Sequence, residues 1–215
     1  MKKKIDWLNH SLEFFVVIIG ILIAFQLDKC SENRKLEENL AEHRTFLLEE
    51  TKSNQYSLRY AQKAVASSIE TLDSMTMLIK NGAESEILKQ MALKLFDDSG
   101  YFYIRKNAYT TLTESGDIRF LDFEEKKRIV SLYGYYDWTE SVQLRSFEGA
   151  NEYYEYLKSN ADLYNSQAPS RKIFENKLFN NILGSYRYAL VAKQEKYKDC
   201  AEVITKFLEN QEPNP

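Results

Sequence analysis

The side chains able to do acid–base, nucleophilic or metal chemistry are few and scattered. The 215-residue chain carries two histidines and two cysteines. His10 lies beside a long apolar run and His43 among Glu and Arg residues, so neither sits in a stretch that reads as a pocket wall. Metal centres need His, Cys or carboxylates closely spaced on one face. The nearest approach is Glu37-Glu38, Glu42-His43 and Glu49-Glu50, a band that reads as the solvated face of a charged helix. There is no Gly-rich phosphate loop, zinc-protease helix motif or nucleophile elbow. The inventory implies no catalytic residue, no metal and no cofactor, and the chain reads as non-enzymatic.

Cys30 and Cys200 admit two readings. One is a long-loop disulfide, strongly stabilising in principle. The other, which the apolar surroundings of Cys200 favour, is a buried thiol at Cys200 and an exposed one at Cys30. Cys30 is also placed for an intermolecular bond between two anchors.

Composition narrows the function classes. With 29 Lys+Arg against 32 Asp+Glu, the net charge is −3. A general nucleic-acid binder needs a cationic surplus to displace counterions from phosphates, so that class is excluded. A hydrophobic fraction of 44% with 28% charged residues is globular, and 7 Gly with 3 Pro disfavour a turn-rich all-β fold. A mean hydropathy of −0.50 would suit a soluble protein, but the first thirty residues depart from that average.

Phe14 to Leu27 is uncharged and about 21 Å long as a helix, short of a hydrocarbon core of about 30 Å. Extended back to Trp7, the stretch has Glu13 as its only charge and about 31 Å of helix, enough to span. Trp7 would lie at headgroup level. Leu27-Asp28-Lys29-Cys30 offers no small residues for signal cleavage, so the segment reads as an uncleaved single-pass anchor. Lys2, Lys3 and Lys4 are nearly balanced by Lys29, Arg34 and Lys35. A short tail is easily retained, which places the N-terminus inside and the bulk of the chain outside the cytoplasm at the inner membrane. Glu13 and Gln26 bracket the span and read as hydrated boundary residues, with an intramembrane role for Glu13 as the alternative. Gly20 and Ala24 form a small-xxx-small pair that would let two helices approach closely.

The anchor Glu13-x-x-Val16-Val17-x-Ile19-Gly20-Ile21-Leu22-Ile23-Ala24-x-Gln26 resembles that of a family of bacterial single-pass membrane proteins of unknown function. Ala108 to Leu112, then Ser115-Gly116-Asp117 and Tyr135-Tyr136, is similar to that family's middle region. Leu27 to Cys30 departs from the Asn/Trp-rich segment usual after the anchor. The resemblance implies a location and an architecture, and no functional residues.

Beyond the anchor the periodicity is helical. Leu58, Ala61, Val65, Ser68, Leu72, Met75 and Ile79 alternate at three and four residues, the seam of one packed helix. No Pro or Gly interrupts Leu27 to Asn81, and Asn81-Gly82 is a helix stop. Ser85 is expected to cap a short helix. Tyr101 to Ile104 is β-prone but has no second strand in view, so it reads as an extended connector. Asn107 opens another short helix ending at Ser115-Gly116. Asp122 with Glu125 forms a capping box for a long helix with a seam through Ile129, Tyr133, Tyr136, Gln143, Phe147, Tyr154 and Leu157. After Ala168-Pro169, Ser170 is expected to open a last helix with Phe174, Leu178, Ile182, Ala192, Tyr197, Cys200, Ile204 and Leu208 inward.

Thirteen of the 15 tyrosines fall between Tyr101 and Tyr197. Adjacent tyrosines on a helix point about 100° apart, so Tyr135-Tyr136 and Tyr153-Tyr154-x-Tyr156 cannot all share one seam. They form a candidate aromatic partner surface, with packing between the helices of the bundle as the alternative. Arg105, Tyr109, Glu114 and Asp117 form a candidate polar loop site for recognition.

The expected protein is all-α, with an N-terminal transmembrane helix continuing into a stalk and an antiparallel helical bundle. Its segments are a basic tail (1–6), an anchor (7–27), a charged coiled-coil-like stalk (28–57), the bundle (58–210) and a disordered tail (211–215). The expected partners are the membrane and either another protein or a second copy, with a small-molecule ligand left open. Function reads as that of an accessory or scaffold protein. A ligand-sensing module acting through a partner, and a membrane-disrupting oligomer, are the alternatives.

Overall fold

The computed structural model describes residues 7–96, 100–165 and 167–210, with side chains from residue 12 onward. The basic tail, the headgroup placement of Trp7, the surroundings of His10 and the disordered tail expected at 211–215 lie outside the described residues. The described chain is helical with no strand among the described residues. Its helices are α1 (Trp7–Lys80), α2 (Ser85–Lys94), α3 (Asn107–Glu114), α4 (Phe123–Asn160) and α5 (Lys177–Glu209). Two 3-10 turns, Asp117–Phe120 and Arg171–Ile173, precede α4 and α5. The chain divides into two units, 1–46 and 47–215.

In the first unit, eleven apolar residues from Leu12 to Leu27 are 51–68% exposed. Exposure on every face distinguishes this segment from the core helix of a soluble bundle. It is long and apolar enough to cross a membrane. After Leu27 the helix turns charged, with an Arg34–Glu38 pair at 3.4 Å one turn apart.

The second unit is a bundle of four limbs. All seven residues of the 58–79 seam are buried, as the spacing requires. The seam also reaches further upstream than the apolar pattern indicates. Leu47, Glu50, Thr51 and Asn54 are buried, so this unit starts at Leu47 and not at Leu58. The boundary was hidden because the 3–4 alternation continues through 47, 51, 54 and 58 with polar residues at two of its positions. At the far end Ala83 N–H bonds to Leu78 O (3.0 Å) and Gly82 N–H to Ile79 O (3.3 Å), with Gly82 at φ +81°. This is a Schellman stop, and only glycine takes that φ without strain. Arg171 donates to Ile79 O (3.1 Å) and Ala83 O, placing a cation on the negative end of the helix.

The second limb is a helix broken in the middle: α2, an extended stretch from 100 to 106, then α3. It returns from the Ile79 end of α1 to the Glu50 end, with Gly100 against Ala61 and Val65, Arg105 at Asn54, and Ala108 at Glu50. α4 then runs parallel to the bundle part of α1, from Tyr133 beside Glu50 to Tyr153 beside Met75. α5 comes back, with Arg187 on Asp73 and Tyr197 beside Gln62. Consecutive limbs are thus antiparallel.

Three local expectations shift. Ser85 is the first residue of α2 and not its cap; Glu84 occupies the N-cap with no side-chain bond. The α5 seam moves by one residue in its first half, burying Phe179, Leu183 and Tyr186 while Leu178 is 57% exposed. The cause is the 3-10 turn at Arg171–Ile173 and the true cap at Asn176, whose side chain accepts from Leu178 N (2.8 Å); Phe174 is not in the same helix and cannot set its phase. In α4 the Asp122 cap forms, its Oδ1 accepting from Glu125 N at 2.8 Å. Its second half buries Ser146, Gly149, Tyr153 and Tyr156 in place of Phe147 and Tyr154. Gly149 is the reason: a Cβ there would sit 3.3 Å from Tyr186 Cα, so this face is where α5 approaches closest.

Candidate functional site

A helix pairs its own backbone groups, and an extended segment does not. Residues 100–106 run through the bundle with no neighbouring strand, so their peptide groups must find partners elsewhere. Three inward polar side chains supply them at Gly100, Phe102 and Arg105. Asn54 of α1 accepts from Arg105 N–H (2.9 Å) and donates to Arg105 O (2.9 Å). Gln143 of α4 does the same for Phe102, accepting at 2.8 Å and donating at 3.4 Å. Each amide thus pairs with a peptide as an adjacent strand would. The Tyr197 hydroxyl accepts from Phe102 N–H (3.2 Å) and lies within bonding reach of Gly100 O (3.0 Å) and Gln143 Oε1.

Glu50 closes the network at the start of α3. The Lys106 cap position makes no side-chain bond there. Glu50 Oε2 instead accepts from Ala108 N–H at 3.0 Å, supplying from α1 the anion that a helix N-terminus attracts. Its other oxygen accepts from Tyr133 Oη at 2.5 Å, and Tyr109 stacks on Tyr133 with centroids 4.4 Å apart. Lys106 pins the segment from outside, bonding Asp137 and Glu140 at 2.7 Å each. Burial works against its charge, but those two carboxylates outweigh it and raise its pKa.

Electrostatically this centre is quiet. Burial drives the phenols of Tyr133, Tyr136, Tyr153 and Tyr197 well above the ordinary tyrosine range, and the Glu50 carboxylate adds to the shift at Tyr133. Burial likewise pushes the Cys200 thiol up to about 11. These groups stay neutral near pH 7 and act as hydrogen-bond donors. The Tyr136 hydroxyl is the exception in geometry: buried near Thr51 and Asn54, it has no partner at bonding geometry.

The residues singled out in the sequence are distributed as follows. Gly20 is open, with nothing within 4 Å of a Cβ built on it, and Ala24, Glu13 and Gln26 lie exposed on the same apolar helix. The tyrosine surface is corrected. Tyr136, Tyr153 and Tyr156 are buried and belong to the core, where Tyr153 and Tyr156 stack on Phe179. Tyr154 is exposed, and Tyr135 is half-buried between Trp138, Lys196 and Asp199. The polar loop residues do not gather into one site. Arg105 and Glu114 are exposed, Tyr109 belongs to the Glu50 network, and Asp117 opens a 3-10 turn. Both cysteines are free thiols, Cys30 exposed and Cys200 buried.

Among the described residues no three His, Cys, Asp or Glu side chains converge on a metal position. Clefts open on the surface of the bundle unit among the described residues. One of about 490 Å³ lies between Tyr154 and the 158–164 turn. A second, about 350 Å³, is lined from α4 and α5 by Glu124, Lys127, Arg128, Ser131, Leu132, Val203, Lys206, Phe207 and Asn210. A third, about 450 Å³, runs along the outer face of α5 from Lys198 to Glu209.

Glu50, expected on the solvated face of a charged helix, is 4% exposed and bonds Ala108 N–H and Tyr133 Oη instead. Sequence reasoning also missed Asn54, which had a readable signal, a polar residue at a seam position of α1. Compared with protein-family models, with curated proteins and with solved structures, the chain matches none.

Proposed function

We propose that this chain is a non-enzymatic accessory protein that is anchored in the inner membrane by residues 7–27 and uses its bundle to hold a protein partner. The observation that carries the reading is the outer face of α4. Phe123, Val130, Trp138 and Leu144 follow one another there at intervals of seven, eight and six residues, and they are 74%, 45%, 52% and 57% exposed. Gly134, between Val130 and Trp138, leaves open space above the backbone. A stripe of that period with a gap at its middle suits an apolar helix of another protein. The exposed 12–27 helix supports the membrane address, and the anchor's resemblance to bacterial single-pass proteins supports the compartment. The lysines before the span support an N-in orientation with the bundle outside the cytoplasm.

The test is site-specific photo-crosslinking in native membranes. A crosslinker at Val130 or Leu144 is expected to form one discrete adduct that is lost when Phe123 is changed to Asp. The same group at exposed Glu202 on α5 should form none. Adducts at Glu202 equal to those at Val130, or insensitivity to Phe123→Asp, would reject the α4 face as the docking surface. Recovery of self-adducts alone would replace the accessory reading with homo-oligomerisation.

A further inference from the structure

Trp138 stands in the α4 docking stripe with half of its surface open, yet its ring is held from behind. Lys196, reaching across from α5, places Nζ 3.1 Å from the centroid of the indole and 5.1 Å from that of Tyr135. The ammonium donates to Asp199 Oδ2 (3.1 Å) and to Tyr135 Oη (3.4 Å). Tyr135 Oη donates to the same carboxylate oxygen (3.3 Å), and its ring meets Trp138 edge-on with centroids 5.3 Å apart. Four side chains from two helices thus close on one another, and the indole takes the outer position.

Lysine is seldom buried, because its ammonium is strongly hydrated and its long stem has much rotamer freedom to lose. Lys196 is nonetheless buried, while Lys198 on the same helix is exposed. Pairing with Asp199 does not require that burial, since residues three apart on a helix can meet in water. What burial adds is the contact with the indole, and a desolvated ammonium is drawn to an aromatic face more strongly than a hydrated one. Trp is enriched among the residues that anchor protein interfaces, and ordering a mobile side chain on docking opposes binding. We infer that Lys196 is a positioning residue for the docking face: it holds the Trp138 indole in one orientation before the partner arrives. This rests on the α4 docking reading and deepens it by naming the anchor and the group that sets it.

Trp7 is the only other tryptophan, so Trp7→Phe leaves Trp138 as the sole indole emitter. Time-resolved fluorescence anisotropy of that full chain in nanodiscs reads the local motion of the ring, which a role of Lys196 in packing α4 on α5 alone would leave unchanged. The ring is expected to be rigid on the nanosecond timescale with Lys196 present. Lys196→Met, of similar length but without charge, should add a fast component, and Lys196→Arg, which keeps a cation on the ring, should remove it again. In native membranes Lys196→Met should lower the yield of the Val130 crosslink about two- to tenfold, the effect of ordering one side chain on binding. Lys196→Arg should restore that yield, and Trp138→Ala should lower it at least as far as Lys196→Met. The inference is overturned if the ring is equally rigid in Lys196→Met, if it loosens while the Val130 adduct is undiminished, or if Lys196→Arg rescues neither readout. Should Lys196→Met fail to fold by circular dichroism, two other measurements decide: a ring already mobile beside Lys196, or an adduct undiminished by Trp138→Ala, overturns the inference. Absence of the Val130 adduct before any change at Lys196 rejects the docking face and the role of Lys196 on it, whereas an adduct present but indifferent to Lys196 rejects the positioning role alone.

Discussion

The broken second limb makes Asn54 the most informative residue to alter. Asn54→Ala removes both bonds to Arg105 at once, leaving a half-buried N–H and a half-buried C=O without partners. An unsatisfied buried group costs about 1–3 kcal/mol, and partial burial puts each toward the lower end, so the pair should cost about 2–4 kcal/mol. The cavity left by the small side chain adds little, since Asn is short. Denaturant titration of the full chain in detergent, followed by helical circular dichroism, measures the change. Hydrogen exchange locates it: the Arg105 amide should lose protection most, with Phe102 and Ala108 less affected because Gln143, Tyr197 and Glu50 still hold them. A stability change under about 1 kcal/mol with the Arg105 amide still protected would refute the idea that side-chain amides replace a strand partner here.

Other substitutions probe separate parts of the argument. Gly100→Ala should destabilise by about 2–4 kcal/mol in the same titration, since φ is +63° and a Cβ would lie 2.7 Å from Ala61 O, against backbone that cannot yield. A membrane-impermeant maleimide should label Cys30 and spare Cys200 in the folded chain, because Cys200 is buried and its raised pKa keeps it protonated near pH 7; two labels per native chain would contradict the packing. With one reactive thiol, the same reagent applied to intact cells reports which side of the membrane Cys30 occupies. Asp73→Asn tests the pair with Arg187: its hydrogen bond and charge hold the Asp73 carboxyl below 3.8. A depressed folded pKa stabilises above the unfolded value and is lost as pH falls through the folded one. Wild type and variant should therefore differ slightly at pH 7, converge as pH falls through the depressed Asp73 pKa, and converge with added salt, by thermal melts. Asp122→Ala should remove the α4 cap at a cost of about 1 kcal/mol, read from the same denaturation curves.

Much of the architecture was legible in the residues. The 58–79 seam, the Gly82 stop, the Asp122 cap and the exposed apolar helix all follow from local rules, in which spacing, a positive-φ residue, a capping side chain and an uncharged run each act within a few residues of chain. Position-dependent features were less secure. The α4 seam placed Tyr136 inward correctly but put Tyr154 there in place of Tyr153 and Tyr156, because residue type cannot say which of two adjacent aromatics faces inward. Around Tyr153 the choice goes with Gly149, which admits Tyr186 from a different helix.

What local sequence decided, then, is the set of helices, their ends and the run of side chains that must leave water. What only the tertiary structure decided is how the unpaired peptides of 100–106 are satisfied. Asn54, Gln143 and Tyr197 reach that segment from three different helices, with 51, 41 and 95 residues between bonded partners. Pairing across such separations has no periodic trace, because each partner obeys its own helix. A seam polar residue announces that something inside needs a hydrogen bond, and only the folded chain brings the peptide that receives it.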